Sequence, residues 1–306
     1  MYHIKSIPED FIVEEIPLVE LKTNGIYIYF WLIKRDCTTI NAVQEIANFL
    51  HIPAKYIGVA GNKDKLAVTK QLCSLKITYE KQLKQFIHKL IKIEIAGYGD
   101  ERIAAGLLKG NYFQIIVRDA DKIPSKKEWF INYFGTQRFS SDNIEIGKAI
   151  LQQNFRLAVE LLQESQKKFI SSSSSTDFIQ TIKKVPNKIL RLIINAYQSD
   201  LWNKIITQIT KNTLPSENLT VQLPGFGFEE NQELRTRYEQ LLEKDNLSLE
   251  SFIVRSLPDI SCEACERKVW IQVTNMTITQ NSDKTILLTF TLPKGSYATE
   301  VIRQLF

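Results

Sequence analysis

The residues best suited to chemistry lie in Gly61-Asn62-Lys63-Asp64-Lys65-Leu66-Ala67-Val68-Thr69-Lys70-Gln71. One carboxylate, Asp64, stands between two lysines just after a Gly-Asn pair. Nearby cations favour the ionised form of a carboxylate, and an anion available at neutral pH is what a nucleophile requires. The same composition also makes an ordinary surface turn, so the motif alone leaves both readings open. Asn62-Lys63-Asp64 is one residue short of the guanine-reading Asn-Lys-x-Asp spacing. The chain also lacks a Gly-x-x-x-x-Gly-Lys-Ser/Thr phosphate loop, which excludes a GTPase.

A second concentration is Asn132-Tyr133-Phe134-Gly135-Thr136-Gln137-Arg138-Phe139, where two amides, an arginine and three aromatic rings surround a glycine. Rings that stack and amide or guanidinium donors that hydrogen-bond are the groups that read an extruded RNA base. The competing use of such rings is to fill a core, and that is the reading for Tyr133 and Phe139.

Strands and helices must position these groups. Asn24-Gly25 is a hairpin signal leading into the β-branched and aromatic run Ile26 to Ile33. Gln71 to Ile77, Lys109 to Arg118, Val269 to Val273 and Thr285 to Leu292 also read as strands. Thr38 or Thr39 caps a helix with Ile40, Val43, Ile46, Ala47 and Leu50 on one face, closed by Pro53. Further helical periodicity covers Tyr79 to Leu90, with Leu83, Phe86, Ile87 and Leu90 inward, then Asp142 to Gln163 and Lys188 to Thr210. Ser171 to Ser175 is low-complexity and reads as a loop.

Composition narrows the class. Hydrophobic content of 44% and charged content of 24% are those of a soluble globular chain. The longest apolar run, Ile26 to Ile33, is far short of the roughly 20 residues that span a bilayer, and the charged N-terminal region is no secretory signal. A cytoplasmic protein without membrane contact is expected. Cys262-Glu263-Ala264-Cys265 is only half a zinc site, and Cys37 and Cys73 supply no second pair, so no metal is expected. The net charge of +5 is unevenly spread. Gly61 to Glu94 holds eight lysines against three carboxylates, and Thr181 to Lys211 holds six basic residues against Asp200. Two basic stretches around a candidate site suit a polyanionic substrate.

The words Ala60-Gly61-x-Lys63-Asp64-Lys65-x-Ala67-Val68-Thr69-x-Gln71 resemble the catalytic motif of the TruD family of pseudouridine synthases. Other motifs of that family follow in order. They are Lys5 ahead of Pro8-Glu9-Asp10-Phe11, then Leu108-Lys109-Gly110-Asn111, then Asn132-x-x-Gly135-x-Gln137-Arg138-Phe139. Ala196-Tyr197-Gln198-Ser199-x-Leu201-Trp202-Asn203 and Leu292-Pro293-x-Gly295-Ser296-Tyr297-Ala298-Thr299-x-Val301-x-Arg303 complete the set. Ser140 departs from the pattern, where the family has glycine.

The resemblance implies Asp64 as the essential catalytic residue and Lys5 as its ion-pair partner. It implies Phe134 packing on a target uracil, with Asn132, Gln137, Arg138 and Lys63 binding substrate. The implied fold is α/β: a pseudouridine synthase catalytic domain with a mixed, largely antiparallel sheet and helices, plus an inserted, mostly helical TruD-type domain. The catalytic domain would comprise residues 1–154 and 268–306, and the insert 155–267. The implied activity is isomerisation of uridine to pseudouridine in tRNA, at position 13 in the D-stem, by a monomer that uses no cofactor. The competing class is a non-catalytic RNA-binding protein with the same fold.

Overall fold

The computed structural model describes residues 2–139, 142–165, 169–170, 177–281 and 284–306. Ser140 and the Ser171 to Ser175 run lie outside these described residues. The chain divides into two compact units, Met1–Phe130 with Gln272–Phe306, and Ile131–Ile271.

The first unit is built on a mixed sheet. Its strands are β1 (Phe11–Pro17), β2 (Tyr27–Arg35), β3 (Gly58–Val59), β4 (Val68–Lys76), β5 (Ile91–Gly99), β6 (Leu108–Val117), β11 (Thr274–Gln280) and β12 (Ile286–Pro293). The order is β11-β12-β6-β1-β4-β2-β5, with β3 added to β4. The pairing of β1 with β4 is parallel, Val13 opposite Thr69, and the other registered pairs are antiparallel. The segments at the two ends of the sequence therefore share one sheet, through β12 on β6.

Strand alternation decides what the sheet presents. In β2 the row Ile28, Phe30, Leu32 is fully buried, and the helix α1 (Thr39–Leu50) covers it with Ala42, Val43, Ile46, Ala47 and Leu50. Thr38 caps α1 by accepting from the Asn41 amide. The same row continues to Lys34, so the face that is apolar beneath α1 turns polar at its end.

The expected helix over 79–90 is reduced to a turn and α2 (Glu80–Leu83). The chain has to double back so that Ile91 can pair with Lys34 at the start of β5. Phe86 packs on Phe49 of α1, whereas Ile87 is 92% exposed rather than inward.

The second unit is mainly helical: α3 (Asn143–Leu151), α4 (Phe155–Ser165), α5 (Phe178–Ile182), α6 (Asn187–Ile209) and α7 (Gln232–Glu243), with the ribbon β8 (Thr220–Gln222) and β9 (Glu266–Lys268). The central α6 buries Leu190, Ile193, Ile194, Ala196, Tyr197, Leu201, Trp202, Ile205 and Ile206, more than one face, as a helix enclosed by others must. Gly147 lets α3 lie against it, because a Cβ there would stand 2.7 Å from the Ile193 carbonyl oxygen. The periodicity over 142–163 resolves into α3 and α4, broken where Gln153 takes a left-handed φ of 58° and Asn154 caps α4. A two-stranded pair, β7 (Trp129–Ile131) and β10 (Trp270–Gln272), contains both points where the chain passes from one unit to the other. The last element, α8 (Ala298–Leu305), belongs to the first unit.

These divisions, 130/131 and 271/272, differ from the expected 154/155 and 267/268. Residues 131–154 join the second unit because α3 packs along α6. Among the described residues, no helix is long and apolar enough to cross a membrane.

The N-terminal segment is clamped to the end of β6. His3 and Arg118 exchange backbone hydrogen bonds of 3.0 and 2.9 Å. Pro8 opens a 3-10 turn that turns Asp10 inward to full burial, where it accepts from Arg118 Nε (2.9 Å), Arg118 Nη2 (2.7 Å) and the Ile7 amide. Burial pushes the Asp10 carboxyl up, but the Arg118 hydrogen bonds and charge outweigh it and hold the pKa below its ordinary value. The clamp's contribution is therefore complete above about pH 4 and is lost as pH falls through the lower folded value. Replacing Arg118 with leucine leaves the buried carboxylate uncompensated and should cost about 3 kcal/mol or more. Urea unfolding at pH 7 measures the loss, and wild type and variant should converge as the pH is lowered.

Candidate active site

Asp64 lies on the irregular segment between β3 and β4, four residues before β4 begins. Its Oδ2 accepts a 2.7 Å bond from Lys5 Nζ, across 59 residues of sequence. The Lys5 side chain is 14% exposed and that of Asp64 33%, so the carboxylate is open to a ligand while its partner is mostly enclosed. Lys5 Nζ also sits 4.0 Å from the centre of the Phe11 ring, a cation–π contact. Lys5 adopts a left-handed φ of 58°, a conformation that non-glycine residues enter only under constraint. The His3–Arg118 bridge before it and the Pro8–Asp10 turn after it supply that constraint.

The loop around Asp64 has little regular backbone pairing, and side chains satisfy its main chain instead. The Lys63 amide donates to Thr39 Oγ1 (2.9 Å), Thr39 donates to Gln71 Oε1 (2.8 Å), and Gln71 Nε2 donates to the Gly61 carbonyl (3.0 Å). The Gly106 amide holds the Ala60 carbonyl at 2.7 Å, and the Asp36 amide donates to Ala67. Lys63 turns its ammonium inward to Glu15 Oε2 at 2.6 Å, and the two side chains are 7% and 1% exposed. Expected as a substrate contact, Lys63 has its ammonium committed to this internal pair.

The second unit assembles the other expected residues. Phe134 is 8% exposed. Its ring packs edge-to-face on Trp202 at 5.5 Å and lies 4.0 Å from the Arg267 guanidinium carbon. Arg138 stands 5.4 Å from the same ring and donates to Ser199 Oγ at 3.3 Å. Asn203 brackets the Phe134 backbone, accepting from its amide and donating to its carbonyl, both at 3.0 Å. Asn132 is buried; Arg267 Nη2 donates to its Oδ1 (2.8 Å) and its carbonyl (2.9 Å), and its own Nδ2 donates to the Lys268 carbonyl. Asn132, Phe134 and Arg138 thus share one cluster, whereas Gln137 is exposed on the short 3-10 turn Thr136–Phe139.

Residue types alone did not single out Glu15, Lys34, Thr39, Arg267, Trp202 or Asn203. Signals existed for some of them. Ser199, Trp202 and Asn203 are spaced i, i+3, i+4 and so share a helix face. Lys34 ends a row of inward-facing apolar residues. Arg267 carried no such mark; only the tertiary fold brings it to Phe134.

The family model for TruD, tRNA pseudouridine synthase D, matches residues 2–174 and 210–305. The tRNA pseudouridine synthase D of Aquifex aeolicus is 27% identical over 375 residues, covering 99% of this chain and 97% of that protein. The one from Nitratiruptor is 32% identical over 243 residues, covering 73% of this chain and 60% of that protein. A crystal structure of a TruD protein from Methanosarcina mazei superposes with a TM-score of 0.72 at 24% identity, covering 99% of this chain and 92% of that one. At that identity the likeness establishes the fold.

The burial of Phe134 makes a stability prediction. Phe134→Ala removes the ring between Trp202 and Arg267 and should cost about 3–5 kcal/mol, whereas Phe134→Tyr keeps the ring and should lose far less. Thermal melting of both variants measures the difference.

Proposed function

Because the chain belongs to the TruD family of tRNA pseudouridine synthases, a family of isomerases, we propose that it converts the uridine at position 13 in the D-stem of tRNA to pseudouridine. The observation that carries this reading is the 2.7 Å pair between Lys5 and Asp64, each in its family motif. The reaction breaks the N-glycosidic bond, turns the uracil and rejoins it through carbon 5, with no net gain or loss of atoms. Asp64 serves as nucleophile or base at the ribose or the uracil. Lys5 orients the carboxylate through a charge-assisted hydrogen bond.

Phe134, Asn132, Gln137 and Arg138 are assigned to the substrate base on the strength of their motif. Phe134, packed against Trp202 and Arg267, and Asn132, whose amide is engaged by Arg267 and the Lys268 carbonyl, are read as shaping the base site rather than touching the base. Lys63 is better read as a brace for the loop, since its ammonium faces Glu15. The segments 1–130 and 272–306, which carry Asp64 and Lys5, are the catalytic part in this reading, and 131–271 is the TruD-type insert. In this reading the protein acts on tRNA as a monomer in the cytoplasm.

The test is mapping of pseudouridine after incubation with unmodified tRNA. Wild type should modify one D-stem uridine. Asp64→Asn should form none while binding tRNA within a few-fold of wild type. Turnover by the pure Asp64→Asn protein would move the chemistry elsewhere, and tRNA binding without any modification by wild type would favour an RNA-binding role.

Affinity for tRNA should also fall steeply with salt, through phosphate contacts. Lys183, Lys184 and Lys188 are all exposed on the second unit. Neutralising the three together should flatten the slope of log affinity against log salt by about 2–3. An unchanged slope would make them solvated surface charges.

A further inference from the structure

A buried lysine that the chemistry does not call for lies beneath the Asp64 loop. Lys34, on β2, is 1% exposed. Its Nζ donates to the Asp64 carbonyl at 2.7 Å and the Cys37 carbonyl at 2.5 Å, with a longer contact of 3.5 Å to the Lys63 carbonyl. An ammonium has three protons, and these three acceptors account for all of them. Two belong to the loop and the third to the turn between β2 and α1, so one side chain ties the loop's backbone to the sheet.

Burying a lysine is costly unless its donors are satisfied, and an apolar residue would continue the row Ile28, Phe30, Leu32 at no such cost. The position therefore spends stability on holding main-chain carbonyls. Burial pushes the Lys34 pKa down to about 8, against the opposing pull of Cys37 and Asp64, and Lys63 adds to the lowering. At neutral pH the group still carries its full set of protons.

We propose that Lys34 is a positioning residue: by gripping the backbone carbonyls of Lys63 and Asp64 it fixes the direction in which the Asp64 carboxylate leaves the loop. Lys5 then meets the carboxylate from its side-chain end, and Lys34 meets the same residue from its main-chain end. The inference rests on the reading of Asp64 as the reacting group. It adds a residue that touches no substrate and acts through the loop.

Lys34→Met keeps an unbranched side chain one heavy atom shorter and removes every side-chain donor. Hydrogen exchange of the 60–68 peptide should speed up on the order of tenfold or more, while peptides within β2 and β4 exchange as in wild type. Single-turnover modification at saturating tRNA should slow on the order of a hundredfold, the scale of a small misplacement of a reacting group. Affinity for tRNA should stay within a few-fold. If melting shows that Lys34→Met does not fold, Lys34→Gln, which keeps an amide donor, is measured in the same way and should give a smaller change of the same sign. Unchanged exchange overturns the inference whatever the turnover, and faster exchange with a normal turnover rate overturns the positioning role. Wild-type protein that forms no pseudouridine overturns the uridine reading instead, and the exchange measurement then decides on Lys34 by itself.

Discussion

The arrangement around Asp64 turns on one contact, which holds a carboxylate on an irregular loop in a fixed direction. A carboxylate in water is free to turn, and its own loop offers few backbone hydrogen bonds to stop it. The 2.7 Å bond from Lys5 fixes one oxygen in place. That bond can form only if a residue near the N-terminus is brought to a loop 59 positions later. The His3–Arg118 bridge, the buried Asp10 and the left-handed Lys5 are the means of doing so. Together they hold Lys5 where its ammonium reaches the loop.

The loop shows the same economy from below. Backbone groups that leave regular structure need partners, and here they come from side chains on the sheet and the first turn of α1. Thr39, Gln71, Glu15 and Lys34 all belong to rigid elements, so the loop inherits their order. The parallel join of β1 and β4 matters in this respect. It sets Glu15 of β1 close enough to the start of β4 to reach both Lys63 and the Leu72 amide. Charges buried in such a network contribute little net stability, and their value lies in geometry.

Much of this was legible in the sequence because the relevant signals are local. The β-branched and aromatic run Ile26 to Ile33 marked β2, the apolar run within 109–118 marked β6, and the periodicity over 188–210 marked α6 almost to its ends. The fold class followed from those elements together with the ordered motifs. What the sequence did not show depends on contacts between distant residues. The helix over 79–90 failed because the next strand had to begin opposite Lys34, and pairing requirements override a helical pattern. Residues 131–154 went with the second unit because of a close approach at Gly147, which no composition shift announces. The partners Arg267 and Lys34 were hidden for the same reason: each acts on a residue far from it in the chain.

The distribution of lysines carries the last step. Read as charge alone, residues 61–94 look like a surface for a polyanion. In the folded chain these lysines do several different jobs. Lys63 is buried against Glu15, Lys84 pairs with Glu80, Lys92 pairs with Glu94, and Lys70 lies 5.0 Å from the Trp31 ring centre. An ammonium already facing a carboxylate contributes less attraction to a distant phosphate, because the pair's field falls off faster than that of a single charge. Lys65, Lys76, Lys81 and Lys89 of the same stretch are exposed, as are Lys183, Lys184 and Lys188. A local sum of charges therefore measures how many cations the sequence supplies, while the field offered to a nucleic acid depends on how many of them the fold has left uncommitted.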